Sequence, residues 1–459
     1  MQNDLNNKRK ISDDRMNFET AETEIDTLGA CEYMSPLINE DCKVDSKVFI
    51  KETNRVLIHV NEKHIREMLD KGTFPPSFEV GGPRVKNYFQ PEGLKCAVVT
   101  CGGLCPGLND IIRAIVLELF YRYGIKDIYG IRHGLKGFIP EYGFEPVQLS
   151  PDKVASIHNH GGTMLGSSRG PQDIGRVVDR LVEMGISILF MTGGDGTLMA
   201  ASRICKEIKD RNLKISVIGI PKTIDNDIYL VARSFGFDTA VSIATQAIRG
   251  AHNESEGYPN GIGLIKLMGR HSGFLAATAA LAQQDANFVL IPEVDFDIDG
   301  PNGLLANLEK RLERRKHAVI VVAEGAGQKF FEDDKDERDP SGNVKLRDIG
   351  LYLRERINDY FNKKNNAVSL KYIDPSYMIR SLPANANDHV FCSFLGRDAV
   401  HAGMAGKTNM IIGHWNNHYV HVPMAASSGK RKQVSSQGKI WMSVLEATGQ
   451  SSLRNDSLA

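Results

Sequence analysis

The chain repeats one unit: a short apolar, β-branched run, then a loop rich in glycine or acid, then an amphipathic stretch. Two copies constrain the fold most. Ile186-Ser187-Ile188-Leu189-Phe190-Met191 leads into Gly193-Gly194-Asp195-Gly196-Thr197, and Ile215-Ser216-Val217-Ile218-Gly219-Ile220 into Pro221-Lys222-Thr223-Ile224-Asp225-Asn226-Asp227. Runs of this kind are buried parallel strands. In an open parallel sheet, ligands bind outside the carboxyl ends of the strands. Three carboxylates, a lysine and several glycines are thus expected at one sheet edge. Glycines let backbone N–H groups approach phosphates, and a carboxylate beside them can hold a magnesium ion. The chemistry implied is phosphoryl transfer.

The same alternation starts at Lys95-Cys96-Ala97-Val98-Val99-Thr100 and a helix from Leu108 to about Tyr123. It continues through helix Asp238 to Asn253, strand Gly261 to Leu267, helix Ser272 to Ala282, strand Asn287 to Ile291, helix Gly303 to Arg315 and strand His317 to Ala323. Strand–helix alternation means βαβ units. The expected architecture is two α/β domains with parallel sheets and a cleft between them. Met1 to about Asp45 is polar and reads as a mobile tail. Thr73 to Pro91 reads as an extended arm. Lys329 to Arg347 reads as an exposed loop. Ser427 to Lys439 is basic and rich in Ser and Gly; it reads as a solvated loop, with a phosphate-binding effector loop as the alternative.

With 459 residues the chain is long enough for two or more packed domains. Its 56 basic and 56 acidic residues balance, which argues against broad affinity for nucleic acid or an anionic membrane. No apolar stretch approaches the roughly 20 residues that span a bilayer. The polar N-terminal stretch lacks the apolar centre of a secretory leader. The seven cysteines are irregularly spaced, which fits a reducing compartment, and cytoplasm is the expected location. Cys101 and Cys105 lack further ligands at zinc spacing.

Further loops carry chemistry. Gly102-Gly103-Leu104-Cys105-Pro106-Gly107 lies between a strand and a helix, where backbone donors meet a helix N-terminus. Gly161-Gly162-Thr163-Met164-Leu165-Gly166-Ser167-Ser168-Arg169 suits a phosphate clamp with Arg169 as its charged donor. Thr197 would cap a helix from Leu198. If Thr223 to Asp227 is extended, Asp225 and Asp227 project to one face, and paired carboxylates raise one pKa, which suits a base; an Asx-turn is the alternative. Arg270, in Met268-Gly269-Arg270, is placed to meet an anion, and Glu324 to accept from sugar hydroxyls.

In this order and at these intervals, together with Tyr372-Ile373-Asp374-Pro375-Ser376-Tyr377-Met378-Ile379-Arg380, these motifs resemble the 6-phosphofructokinase family over about Phe78 to Ala405. The arm with Gly82-Pro83-Arg84 resembles the ATP-dependent plant and trypanosomatid type. The resemblance implies two Rossmann-like three-layer αβα domains: a donor domain over 94–236 and a fructose 6-phosphate domain over 237–408. They would be flanked by an N-terminal tail and arm over 1–93 and a C-terminal extension over 409–459 that packs back on the core. It implies phosphorylation of the 1-hydroxyl of fructose 6-phosphate by MgATP, a glycolytic step, in an allosteric homo-oligomer, expected to be a tetramer. Asp225 matches the catalytic base, with Thr223 and Asp227 beside it, and Arg270 lies near the transferred phosphoryl group. Asp195 matches the Mg2+ aspartate. Gly103, Arg169, Gly194, Gly196, Thr197 and Lys222 fall at the donor, and Met268, Gly269, Glu324 and Arg380 at the sugar phosphate. Lys371 and Tyr377 align by spacing with 6-phosphate ligands that a neighbouring subunit often supplies.

Three positions depart from bacterial relatives. Gly261 replaces an arginine for the 6-phosphate, Ala200 a donor-loop glycine, and Lys222 a glycine. Lys222 resembles pyrophosphate-using members, where lysine takes part of the nucleotide-phosphate space. Those members usually carry Asp where Gly196 stands here. Gly196 leaves room for the α-phosphate, so ATP is the expected donor and pyrophosphate the alternative.

Overall fold

The computed structural model describes residues 23–39, 41–331, 344–427 and 429–456. About half of the expected tail, residues 1–22, and most of the expected exposed loop, residues 332–343, lie outside the described residues.

Two sheets organise the chain. The larger runs, from edge to edge, Arg55–Leu57, Ser77–Val80, His418–Pro423, Met410–Trp415, Ser216–Pro221, Ile188–Gly193, Lys95–Thr100, Asp127–Ile131 and Val147–Leu149. Its five central strands are parallel, and the strands outside them pair antiparallel. The smaller sheet is wholly parallel, in the order Phe288–Leu290, His317–Ala323, Gly261–Leu267, Ser369–Ile373. Helices cover both faces, so the central strands are buried throughout and need no polar alternation. The architecture is the α/β class read from the sequence.

Helix Phe237–Glu256 packs against the smaller sheet, and helix Ala386–Met404 against helix Leu108–Leu117 of the larger body. The buried Asp388 joins the two helices, accepting from Thr239 N at 2.8 Å and Thr239 Oγ1 at 2.6 Å. Helix and strand boundaries fall close to those expected.

Two segments differ from expectation. Residues beyond 22 do not behave as a tail: Leu28 N donates to Gly406 O at 2.9 Å, and Tyr33–Met34 pairs with Lys86–Asn87. Backbone hydrogen bonds hold this segment, and they need no apolar pattern. The basic segment after Ser427 is no free loop either; it crosses the cleft between the two sheets, as described below. No helix among the described residues is long and apolar enough to cross a membrane. All seven cysteines are free, and burial pushes the Cys101 and Cys105 thiols up to about 12.

Candidate functional site

Most of the candidate residues sit at the carboxyl ends of strands, where parallel sheets leave backbone groups free. Strand Lys95–Thr100 ends in a turn that Gly102 (φ +82°) and Gly107 (φ +98°) make possible. A Cβ at Gly103 would lie 2.9 Å from Arg380 Nη1 and 3.3 Å from Arg169 Nη2. Two guanidinium groups therefore close on the open side of this glycine. They border a cavity of about 440 Å³ lined also by Ser167, Ser168 and Tyr377. Ser167 Oγ donates to Gly102 O at 2.6 Å, fastening the 161–169 loop to this turn. Lys222 is buried with its ammonium on Gly103 O. Burial pushes its pKa down, and the positive Arg380 and Arg169 add to that.

The helix after Gly193 begins at Asp195, earlier than the expected cap at Thr197. Gly194 is the N-cap and makes no side-chain cap bond, so Asp195, Gly196 and Thr197 form the first turn. The N–H groups of a first turn have no partners within the helix and form an anion-binding end. A Cβ at Gly196 meets nothing within 4 Å. The space beside Gly196 is open, as the sequence reading required.

The Thr223–Asp227 segment is bent and not extended: Asn226 adopts φ +52°. Its own side chains fix the bend. Thr223 Oγ1 accepts from Asp225 N at 3.1 Å and donates to Asp227 Oδ1 at 3.1 Å. Asn226 Oδ1 accepts from Ser234 N at 3.0 Å. Asp225 remains electrostatically coupled to Asp227 despite the bend. Burial first, then the charges of Asp227 and Glu324, push its carboxyl up to about 8, while Arg380 and Arg431 pull it back. A carboxyl in that range is matched to taking a proton near neutral pH.

Across the cleft, strand Gly261–Leu267 ends at Met268-Gly269-Arg270. Gly269 has φ +132°, and Gly325 N donates to its carbonyl at 3.1 Å, locking this turn to the one after Ala323. Ser272 Oγ donates to Asp225 O at 3.4 Å, joining the two sides. Burial pushes the Glu324 carboxyl up, against the pull of Arg270 and Lys266. Arg270 Nε is buried without a hydrogen-bond partner. A buried charged donor without a partner calls for an explanation, and an anionic ligand near the Arg270 guanidinium would give one.

One candidate lies apart, and another stands at the rim of the cavity beside Gly103. Lys371 sits within strand Ser369–Ile373, in register with Gly263, and its ammonium lies 4.5 Å from the Tyr258 ring centre. That is about four residues, or roughly 13 Å, short of the carboxyl edge. Tyr377 is two-thirds exposed, with Arg380 over its ring. Gly261 also stands at the far end of its strand, where a Cβ would strike Ser255 O at 2.0 Å, so no larger side chain fits.

One functional residue escaped the sequence reading. Arg431 reaches between two strands' loops, 3.2 Å from Asp227 Oδ2 and 3.7 Å from Asp195 Oδ2. The only local signal was the run Lys430-Arg431-Lys432. Its place tests whether the acidic residues suit a metal: two carboxylates converge on one positive group, so the position accepts a cation. Asp195 is the residue that would hold a metal there. Lys432 is buried, donates to Val231 O at 2.9 Å and Ala232 O at 3.0 Å, and is pushed down to about 7 by burial.

The model of the family described as Phosphofructokinase matches residues 95–403. The chain is 48% identical to an ATP-dependent 6-phosphofructokinase of Borreliella burgdorferi, over 95% of this chain and 98% of the relative. It is 46% identical to ATP-dependent 6-phosphofructokinase 1 of Arabidopsis thaliana, over 82% of this chain and 79% of the relative. Among solved structures, a pyrophosphate-dependent phosphofructokinase from Marinobacter aquaeolei superposes with a TM-score of 0.64 at 19% identity, covering 78% of this chain and 91% of that one, a likeness of fold. Family match and cleft together lead to one conclusion: the chain belongs to the phosphofructokinase family.

Proposed function

We infer that this protein is an ATP-dependent 6-phosphofructokinase, transferring the terminal phosphoryl group of MgATP to the 1-hydroxyl of fructose 6-phosphate, a step of glycolysis. One observation carries the reading: Asp225, with its carboxyl pushed up to about 8, lies between the Asp195 loop on one side and the Arg270 turn on the other. The C1 hydroxyl gives its proton to Asp225 as its oxygen bonds to phosphorus. The bond from phosphorus to the bridging oxygen breaks, and that oxygen keeps the electron pair as ADP leaves. Arg270 offers its positive charge to the transferred group. Phosphoryl transfer asks the protein chiefly to position groups and neutralise charge.

Gly103, Arg169, Gly194, Gly196, Thr197 and Lys222 are assigned to the donor within residues 94–236. Met268, Gly269, Glu324 and Arg380 are assigned to the sugar phosphate. Asp195 would hold Mg2+, which would supply further neutralisation of the phosphates. Lys371, which lies away from this cleft, is assigned with Tyr377 to the 6-phosphate in a neighbouring copy of a homotetramer. Cytoplasm is the location proposed. The open space at Gly196 and the ATP-dependent relatives favour ATP over pyrophosphate.

The test compares donors on the purified protein with fructose 6-phosphate and magnesium. Turnover with ATP and none with pyrophosphate is expected. Turnover with pyrophosphate alone overturns the donor, and turnover with neither overturns the activity.

A further inference from the structure

The segment Gly429–Val434 crosses the mouth of the cleft and is fastened along its length. Gly429 N donates to Asp195 Oδ1 at 3.3 Å, and Lys432 N to Asp227 O at 2.8 Å. Gln433 Nε2 donates to His271 O at 3.2 Å, and Val434 N to Glu293 Oε1 at 2.8 Å. Arg431 also pairs with Ile228 in an antiparallel bridge. The strap thus touches both sides of the cleft, through Asp195 and Asp227 on one and His271 and Glu293 on the other.

Arg431 is the part of the strap that meets the chemistry. Its guanidinium lies between Asp195 and Asp227, and one-third of its side chain remains exposed. At Asp225 the charges of Asp227 and Glu324 are offset by two guanidinium groups, Arg380 and Arg431. A divalent ion needs carboxylate oxygens at about 2.0–2.1 Å. A guanidinium paired to the same oxygen stands in its way by charge and by volume.

Resting on the reading of Asp195 as the metal aspartate, we propose that Arg431 is the resident counter-cation of the donor site. It holds Asp195 and Asp227 in the ligand-free enzyme and must leave Asp195 before a divalent metal binds there. The strap therefore lowers the affinity of the empty site for metal. It keeps the acidic residues paired until the donor arrives with its own cation.

The test is Mn2+ binding to the full-length, nucleotide-free protein, followed by the electron paramagnetic resonance signal of free Mn2+. Arg431→Gln is expected to tighten Mn2+ binding roughly three- to tenfold, the worth of two partly exposed ion pairs. Arg431→Lys, which keeps the charge and controls for folding, is expected to stay close to the parent. Asp195→Asn is expected to remove the tight Mn2+ site in every background. If Asp195→Asn removes the site but Arg431→Gln leaves its affinity unchanged or weaker, the counter-cation role is wrong and the metal aspartate stands. If Asp195→Asn leaves binding intact, the metal assignment itself fails, and the proposal fails with it.

Discussion

Glu79 belongs to the N-terminal arm and has Arg84 Nη2 at 2.6 Å, Lys407 Nζ at 3.0 Å and His421 Nδ1 at 3.3 Å. Asp225 lies in the cleft, where the charges of Asp227 and Glu324 outweigh those of Arg380 and Arg431. Burial works against the ionised form at both. At Glu79, His421 and Lys407 overcome it and hold the carboxyl well below the usual carboxylate range. At Asp225 the neighbouring carboxylates add to it, and the pKa climbs to about 8. The same side-chain types thus make a scaffold where cations surround the acid and a proton acceptor where acids do. What differs is the sign of the company.

The largest effect expected from this contrast is on turnover. Asp225→Asn should slow kcat by roughly 10²–10⁴, the usual worth of a general base, with a smaller change in KM for the sugar. A variant within a few-fold of the parent would break the contrast on the cleft side.

Glu79→Gln should act on stability instead. Breaking a buried ion pair by removing one partner costs about 3–5 kcal/mol. The loss should appear in urea unfolding, while kcat at a temperature where the variant is folded stays within a few-fold of the parent.

The smallest effect sharpens the comparison through pH. The value of kcat/KM should rise with pH to an inflection near 8, and Asp227→Asn should move that inflection down by removing a like charge. Stability should show both signs. Asp225 binds its proton more tightly folded than unfolded, so its contribution falls as pH rises from the ordinary carboxylate range to about 8. Glu79 binds its proton less tightly when folded, so its stabilisation is present above the ordinary range and is lost as pH falls into acid. Melting temperatures of Asp225→Asn and the parent, compared across pH, should diverge up to about pH 8.

Much of this was legible before any coordinates. Strand Ile188–Gly193 and its loop were readable because burial on both faces leaves an unbroken apolar run ending in glycine. Placement of Asp195, Asp225 and Arg270 followed, since a parallel sheet puts such loops at one edge. The hairpin Met410–Trp415 and His418–Pro423 was missed, because His414, His418 and His421 interrupt its apolar pattern. Asn416-Asn417, both at positive φ, is the turn signal that marks it. The strand holding Lys371 was missed because it is short and half-buried. Arg431 was unreadable for a different reason: its partners lie more than two hundred residues away, and the run around it looks like any solvated basic loop. At Asn226 the sequence left an extended segment and a turn both open, because acids two apart share a face only in extended chain; the structure has the turn.

One feature of the larger sheet bears on how this protein is made. Strands Arg55–Leu57 and Ser77–Val80 join that sheet only through His418–Pro423, and Glu52 waits for Lys407, 355 positions later. At about 5–20 residues per second, a ribosome leaves the arm without its partner for tens of seconds. Until then the Ser216–Pro221 strand has an open side as well, and open strand edges recruit other chains. The emerging enzyme therefore passes through a long interval in which its nucleotide-side body is built but unsealed. Its need for protection during synthesis is set by the order of its strands.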